Sequence, residues 1–472
     1  MDINKEITSE ITLETTFIDN DDVNVKSKKV IRKNLIVVGV MNLLIYSALI
    51  PINSLISTVA GKTLGSITFG LNYFFTCSFS FISVSVMNNE TSKKKAILLG
   101  GVCLVSFTFC NWYISYYTLI PGTVLFGVGL ATTWISSLLY ISKIAAYHAR
   151  NNNINEQNTA SYFVGIILAF AMFGYIVGNA TTAGVLTILK SNDSSSGNNN
   201  DSSKECHTND DMLEINFTAA SVLKGLVVCY SLSGLLVAVF FLDDIDKDQN
   251  THCESELLLA TIKQMKKSAI AVTQIAIRKE MLLSCPLFFT SGICIGFIFS
   301  NYTKVFVSEC VGVHIVGYAI MMYGLGSALG SFVTGKLLAL EMKVMLVLGA
   351  LTLHLTVMLF LVIWEREPIL LLLLFVTALW GICDGTWVTS CSSFVATSFG
   401  EDSRHSFALY RVLYLLGVCC SGLFALLIPV KATLIILCVL LSLFAPLHLI
   451  ITSRRCTHMA ATVNHVVTNY CA

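Results

Sequence analysis

Long apolar stretches separated by short polar joints run along almost the whole chain. A helix needs about 20 mostly apolar residues to cross the hydrocarbon core of a bilayer. The first stretches that meet this need are Leu35–Thr58, Leu64–Val86, Ala96–Tyr113, Leu119–Tyr140, Tyr162–Leu186 and Ala219–Leu242. The second set is Met281–Val307, Val311–Leu338, Val344–Trp364, Ile369–Cys391, Phe407–Leu427 and Ala432–Ile451. The pattern predicts an all-α integral membrane protein with twelve transmembrane helices in a lipid bilayer.

Two polar segments break the rhythm. Lys190–Asn216 is rich in Asn, Asp and Ser, a composition that predicts disorder. Asp243–Glu280 carries Leu258, Ile262, Met265 and Ala269 at helical spacing, with Lys263, Lys266 and Lys267 on other faces. That reads as a linker helix at the membrane surface. Asp244, Asp246 and Asp248 are spaced like the start of a calcium loop, but glycine is missing at the sixth position and Ser255 stands at the twelfth, so no calcium site is read. The expected units are a tail over 1–33, a six-helix half over 34–242 with its polar loop at 188–218, a linker over 243–280, a second half over 281–453 and a tail over 454–472. Six spans, a linker and six spans form the 6+6 pseudo-twofold layout of the major facilitator superfamily. Gly127, Gly129, Gly324, Gly326 and Gly330 would let helices approach closely.

Composition agrees and charge adds direction. Hydrophobic residues make up 55% of the 472 and charged residues only 12%, too few to clothe a soluble surface. Mean hydropathy is +0.73. With a cytoplasmic N-terminus, the inside segments hold Lys26, Lys28, Lys29, Arg32, Lys33, Lys93–Lys95, Lys143, Arg150 and most of the other basic residues, down to Arg454 and Arg455. The outside segments keep Lys62, Lys190, Lys204, Lys224, Lys304, Arg366 and Lys431, a ratio of roughly three to one. Both termini are then cytoplasmic. The acidic, polar beginning of the chain contains no cleavable signal peptide, so the first span is expected to direct its own insertion. N-glycosylation is expected at Asn192, Asn200 and Asn216, which this topology places outside, and not at the inward-facing Asn89. No basic domain exists to neutralise phosphates, so nucleic acid is not a partner.

Several ordered strings resemble the uncoordinated protein 93 family, a branch of the major facilitator fold. They are Asn111-Trp112-Tyr113, Tyr117-Thr118-Leu119-Ile120-Pro121, Gly127 and Gly129 in the first half. Ser291-Gly292, Tyr302-Thr303-Lys304, Gly312, His314, Gly317-Tyr318 and Gly335-Lys336 follow, then Trp380-Gly381, Asp384, Trp387, Thr389, Phe407-Ala408, Tyr410-Arg411 and Gly417. The resemblance spans about Leu35 to Ile451. It implies a protein that regulates or escorts another integral membrane protein, a channel or a receptor, rather than one that moves a solute. The chain departs from the family where relatives are polar: Pro51 to Ser57 closes the first span, Cys294-Ile295 replaces an acidic-amide pair, and Ser390 and Ser392 replace amides.

Ionisable groups inside the membrane are costly and mark functional candidates. Asp384 lies well inside the tenth span and Arg411 near the start of the eleventh, so an intramembrane Asp384–Arg411 ion pair is expected. Lys304 and Glu309 are candidates at the outer mouth. His354 reads as a packing histidine, and Trp112, Trp134, Trp380 and Trp387 as packing or interface aromatics. Cys456, directly after Arg454-Arg455, is placed for palmitoylation. A bridge between Cys206 and Cys310 would suit an oxidising outer face.

The first six spans contain almost no buried acid or base, which weighs against proton coupling. No P-loop, zinc helix, nucleophile elbow or catalytic dyad is present, so neither an enzyme nor a cofactor is expected. The first reading is a regulatory or escort subunit, with a potassium channel as first candidate and the plasma membrane favoured over endoplasmic reticulum or endosome. The alternative is a facilitative transporter of a small neutral solute.

Overall fold

A computed structural model describes residues 28–86, 92–154, 156–194, 217–245, 270, 272–339, 342–365, 367–399 and 403–470. The described residues are helical nearly throughout. In the first half they form α1 (Lys28–Val59), α2 (Lys62–Val86), α3 (Lys93–Cys110), α4 (Tyr116–Asn152), α5 (Glu156–Ser194) and α6 (Phe217–Phe241). In the second half they form α7 (Lys279–Phe297), α8 (Val313–Ala339), α9 (Lys343–Ile363), α10 (Leu370–Ser398), α11 (Ser403–Leu427) and α12 (Val430–Tyr470). Among the described residues, ten helices are long and apolar enough to cross a membrane.

The two that fall short of that measure are α2 and α3. Helix α3 opens on three lysines. Helix α2 carries Thr68, Asn72, Thr76 and Ser80. Two of its hydroxyls fold back on its own backbone, Thr76 Oγ1 donating to Asn72 O at 2.7 Å and Ser80 Oγ to Thr76 O at 2.6 Å, while Thr68 Oγ1 has no partner among the described residues. The two backbone bonds remove the cost of placing Thr76 and Ser80 in an apolar interior. The helix packs against α4 and α11, so its polar side chains meet protein and not lipid.

Local chemistry sets the ends. Ser92 and Ser115 cap α3 and α4 by accepting from Lys95 N and Tyr117 N. Asn153 ends α4 in the left-handed region at φ 52. The tight turn between α1 and α2 needs Gly61, whose φ is 76.

Several boundaries differ from the sequence pattern. Helix α12 continues to Tyr470, where a tail was expected from 454, because no proline or glycine follows the last apolar run to stop it. Helix α5 extends to Ser194, into the start of the expected polar loop. Helix α7 does not stay α-helical: Ile298–Ser308 is a π-helix, with Glu309 N bonded to Lys304 O and Gly312 N to Val307 O. This wider turn aligns a ladder of rings, Phe297 on Trp380 at 5.3 Å, Tyr302 on Phe306 at 5.5 Å and Phe306 on Trp364 at 6.3 Å.

The halves meet through α2 against α11 and α5 against α8. We call the side where α1 begins the near side, and the side of the α1–α2 turn the far side. On the far side, Ile50, Leu55, Ile56 and Phe69 share one core with Phe297, Ile298, Tyr302 and Phe306 of the second half. The near-side part of the first half forms a separate core around Val38, Ile45, Tyr140 and Ile144. The halves are therefore joined on the far side and packed apart on the near side. Asp243, just after α6, ties down the near end of the first half. It pairs with Lys33 Nζ at 2.7 Å, exchanges two bonds with Asn34, and its carbonyl accepts from Tyr140.

Candidate functional site

The seam between the halves gathers the polar groups. Asn53 is held on α1, two residues after Pro51, where proline leaves the helix backbone short of a donor. Its Nδ2 donates to Tyr73 Oη at 3.4 Å, and Asn72 Nδ2 donates to Asn53 Oδ1 at 3.3 Å. Asn53 and Asn72 are each at most 1% exposed, and Asn72 Oδ1 has no partner among the described residues.

Next to this lies an aromatic cluster from three helices of the first half. Tyr46 of α1 stacks on Tyr175 of α5 at 5.9 Å and meets Trp134 of α4 edge-on at 6.2 Å. Arg411 of α11 enters it from the other half. Its guanidinium lies 5.7 Å from the Trp134 ring centre and 5.5 Å from that of Tyr414. These are cation–π distances. Arg411 makes no hydrogen bond or ion pair with any described residue, and it is exposed although it sits within an apolar span. A guanidinium never loses its charge, so its unpaired donors require water or a ligand. Its exposure gives that access.

Asp384 is placed by the packing of α8 on α10. Gly326 and Gly381 let the two backbones touch: a side chain at Gly326 would run into Ala378 O, and one at Gly381 into Tyr323 O. This approach carries Tyr323 to Asp384, and its hydroxyl donates to Asp384 Oδ2 at 2.6 Å. Both residues are 2% exposed, and Asp384 Oδ1 has no partner among the described residues. The expected Asp384–Arg411 ion pair is not formed. Arg411 turns towards the rings of the first half, while Asp384 turns to Tyr323 on α8, so the two charges serve different contacts.

The other candidates separate from this seam. Lys304 is buried at 9% exposure in the π-helix and Glu309 follows it half-buried, both on the far side and both engaged with other residues. His354 behaves as a packing histidine, with Trp387 Nε1 donating to its Nδ1 at 3.2 Å and Trp380 edge-on at 4.7 Å. Cys310 is disulfide-bonded, and its partner is none of the cysteines found free. Cys206, Asn200, Asn216 and the linker residues Leu258 to Ala269 lie outside the described residues. Asn192 lies in the last turn of α5 and Cys456 in the extended α12. Among the described residues no cluster of His, Cys, Asp and Glu could hold a metal ion.

Chemically, the seam offers one accessible cation, ring faces from both halves and a buried amide pair. It can bind an acidic group entering from the near side, or hold the halves in register through Arg411. The sequence pointed to Asp384 and Arg411 as ionisable groups inside spans. It missed Asn72, Tyr73 and the role of Trp134, although polar Asn72 in the middle of α2 was a visible signal.

The family model described as "Ion channel regulatory protein UNC-93" matches residues 54–450. "Protein unc-93 homolog A" of Homo sapiens is 25% identical over 430 residues, covering 87% of this chain and 91% of that protein. The "Putative potassium channel regulatory protein unc-93" of Caenorhabditis elegans is 23% identical over 414 residues, covering 83% of this chain and 57% of that protein. Among solved structures, a POT family transporter in complex with 5-aminolevulinic acid superposes with a TM-score of 0.61 at 11% identity, covering 89% of this chain and 95% of that one. The helical arrangement is thus of the major facilitator type.

Proposed function

The chain belongs to the UNC-93 family, and from that membership we propose that it is a regulatory or escort subunit that binds another membrane protein, with a potassium channel as first candidate. The observation that carries this reading is the extent of the family match. Residues 54–450 take in nearly the whole helix bundle, so the bundle is what the chain shares with relatives described as channel regulators. The distribution of Lys and Arg supports a cytoplasmic near side with both termini inside. The far side, with the sequons at Asn192, Asn200 and Asn216 and the outer-mouth pair Lys304 and Glu309, then faces outward, and the plasma membrane is the expected site of action. A partner inside the bilayer docks by side-chain packing and interhelical hydrogen bonds, because lipid offers no hydrophobic drive to association. The test is affinity purification of the tagged full-length chain in mild detergent. Reproducible recovery of a potassium channel subunit supports the reading, and recovery of no membrane protein above a tagged unrelated control overturns it.

One observation favours a second reading, facilitative transport of a small solute. Arg411 is an accessible cation at the seam, flanked by rings of both halves. It shifts the expected solute from a neutral one to one with an acidic group. Uptake of small carboxylates by proteoliposomes of the intact chain, abolished in Arg411→Gln, would carry that reading. Uptake equal to empty liposomes would remove it.

A further inference from the structure

A second hollow lies away from the seam, inside the far side of the first half. It is a cavity of about 100 Å³ between the end of α1 (Pro51, Leu55, Val59), the end of α3 (Thr108) and α6 (Leu223, Lys224). Its walls are almost wholly apolar. The polar side chains that reach it are already occupied. Thr108 Oγ1 bonds to Val105 O at 2.7 Å and to Ser231 Oγ at 3.0 Å. Asn111 Nδ2 donates to Phe107 O at 2.8 Å, and Thr182 Oγ1 to Gly178 O at 2.9 Å.

Lys224 is different. It is half-buried, and its Nζ makes no hydrogen bond or ion pair with any described residue. Four residues past the start of the apolar span Ala220–Phe241, it sits about 6 Å into that span. A lone ammonium at that depth is costly unless an anion meets it. The near-side Lys33 is satisfied by Asp243, whereas nothing in the described protein does the same for Lys224.

We propose that this pocket binds a single-chain anionic amphiphile, a fatty-acid carboxylate, with its acid group on Lys224 and part of its chain in the apolar hollow. The size admits only a short stretch of chain: it is below the about 150 Å³ of an engineered apolar cavity that takes benzene. A solute that is polar all round would find few free groups on these walls, chiefly Lys224 and the side-chain oxygen of Asn111. The carboxylate supplies the missing counter-charge, and the chain replaces empty space with dispersion contacts. The site belongs to one half alone, so it does not depend on how the seam opens.

The test uses the full-length chain in nanodiscs of zwitterionic lipid and a diazirine-bearing palmitate as photoprobe. Saturable labelling of α1 or α6 peptides is expected, displaced by unlabelled palmitate but not by methyl palmitate. Lys224→Met should cut labelling by roughly tenfold, Lys224→Arg should keep it, and Val227→Trp, at another lining position of α6, should block it by filling the hollow. Labelling that does not saturate, that methyl palmitate displaces equally, or that Lys224→Met leaves intact overturns the proposal. Displacement by phosphatidic acid but not by palmitate overturns it in favour of a phospholipid. If Lys224→Met does not fold, the palmitate and ester competition on the unaltered chain still decides.

Discussion

Replacing Tyr323 by phenylalanine removes one oxygen and keeps the ring. That hydroxyl gives Asp384 its hydrogen bond at 2.6 Å, with both side chains 2% exposed and the second carboxyl oxygen already bare. The variant therefore leaves a buried carboxyl with no partner among the described residues. A hydrogen bond to a charged group contributes about 1.5–3 kcal/mol in soluble proteins. Interhelical bonds inside membranes average about 0.6 and reach about 1.7 kcal/mol, because the unfolded helices also find partners. A short, dry bond belongs near the top of that membrane range, so Tyr323→Phe should cost about 1.5 kcal/mol. The assay is a double-mutant cycle with Asp384→Leu, read by SDS-titrated unfolding of the detergent-solubilised protein. Tyr323→Phe should have almost no effect once Asp384 is gone. A coupling below about 0.3 kcal/mol, the range of independent sites, would refute the reasoning.

Other outcomes follow from the same geometry. Asp243→Ala should lower the melting temperature more than Asp243→Asn, because the amide keeps a bond to Asn34 while the ion pair, 46% and 39% exposed, contributes less than about 1 kcal/mol. Added salt should weaken the unaltered protein slightly and leave Asp243→Asn unchanged. Cys206→Ser should expose a free Cys310 thiol to maleimide without reduction, and Cys310→Ser should do the same for Cys206; no new labelling in either would dismiss their pairing. Replacing Asn192, Asn200 or Asn216 by Gln should each remove one glycan on a gel, whereas Asn89→Gln should change nothing.

How far the sequence could be read follows from what its pattern encodes. Apolar runs report length and span, so all twelve helices were read from their runs, α2 and α3 included, although among the described residues these two fall short of a full apolar span. The linker and the spacing of the runs showed two halves. Pattern does not report which helix faces which. Asp384 and Arg411 were paired on paper because opposite charges on consecutive helices suggest it. The actual partner of Asp384 stands 61 residues earlier, brought in by glycines on α8 and α10. Trp134 resembled any interface tryptophan until α11 placed a guanidinium over it. The π-helix was invisible for a related reason, since the rings it meets, Trp364 after α9 and Trp380 on α10, are far from it in sequence.

The seam also bears on how a regulator of this fold could act. The near-side separation of the halves and their shared far-side core describe one of the positions such bundles adopt around a central axis. Arg411 bridges that axis through Trp134, so a partner that closes the near side would press on a contact already in place. A channel subunit that prefers one position of the bundle would shift its population by that preference alone.

The most direct test of the central claim places a photo-reactive amino acid at single exposed apolar positions within the spans of the full-length chain, such as Phe332 and Leu371, in native membranes. Capture followed by mass spectrometry then identifies what touches the bundle. The account predicts a potassium channel subunit captured from a defined set of positions and not from others. Capture of no membrane protein from any position, together with carboxylate uptake by the purified chain, would contradict it.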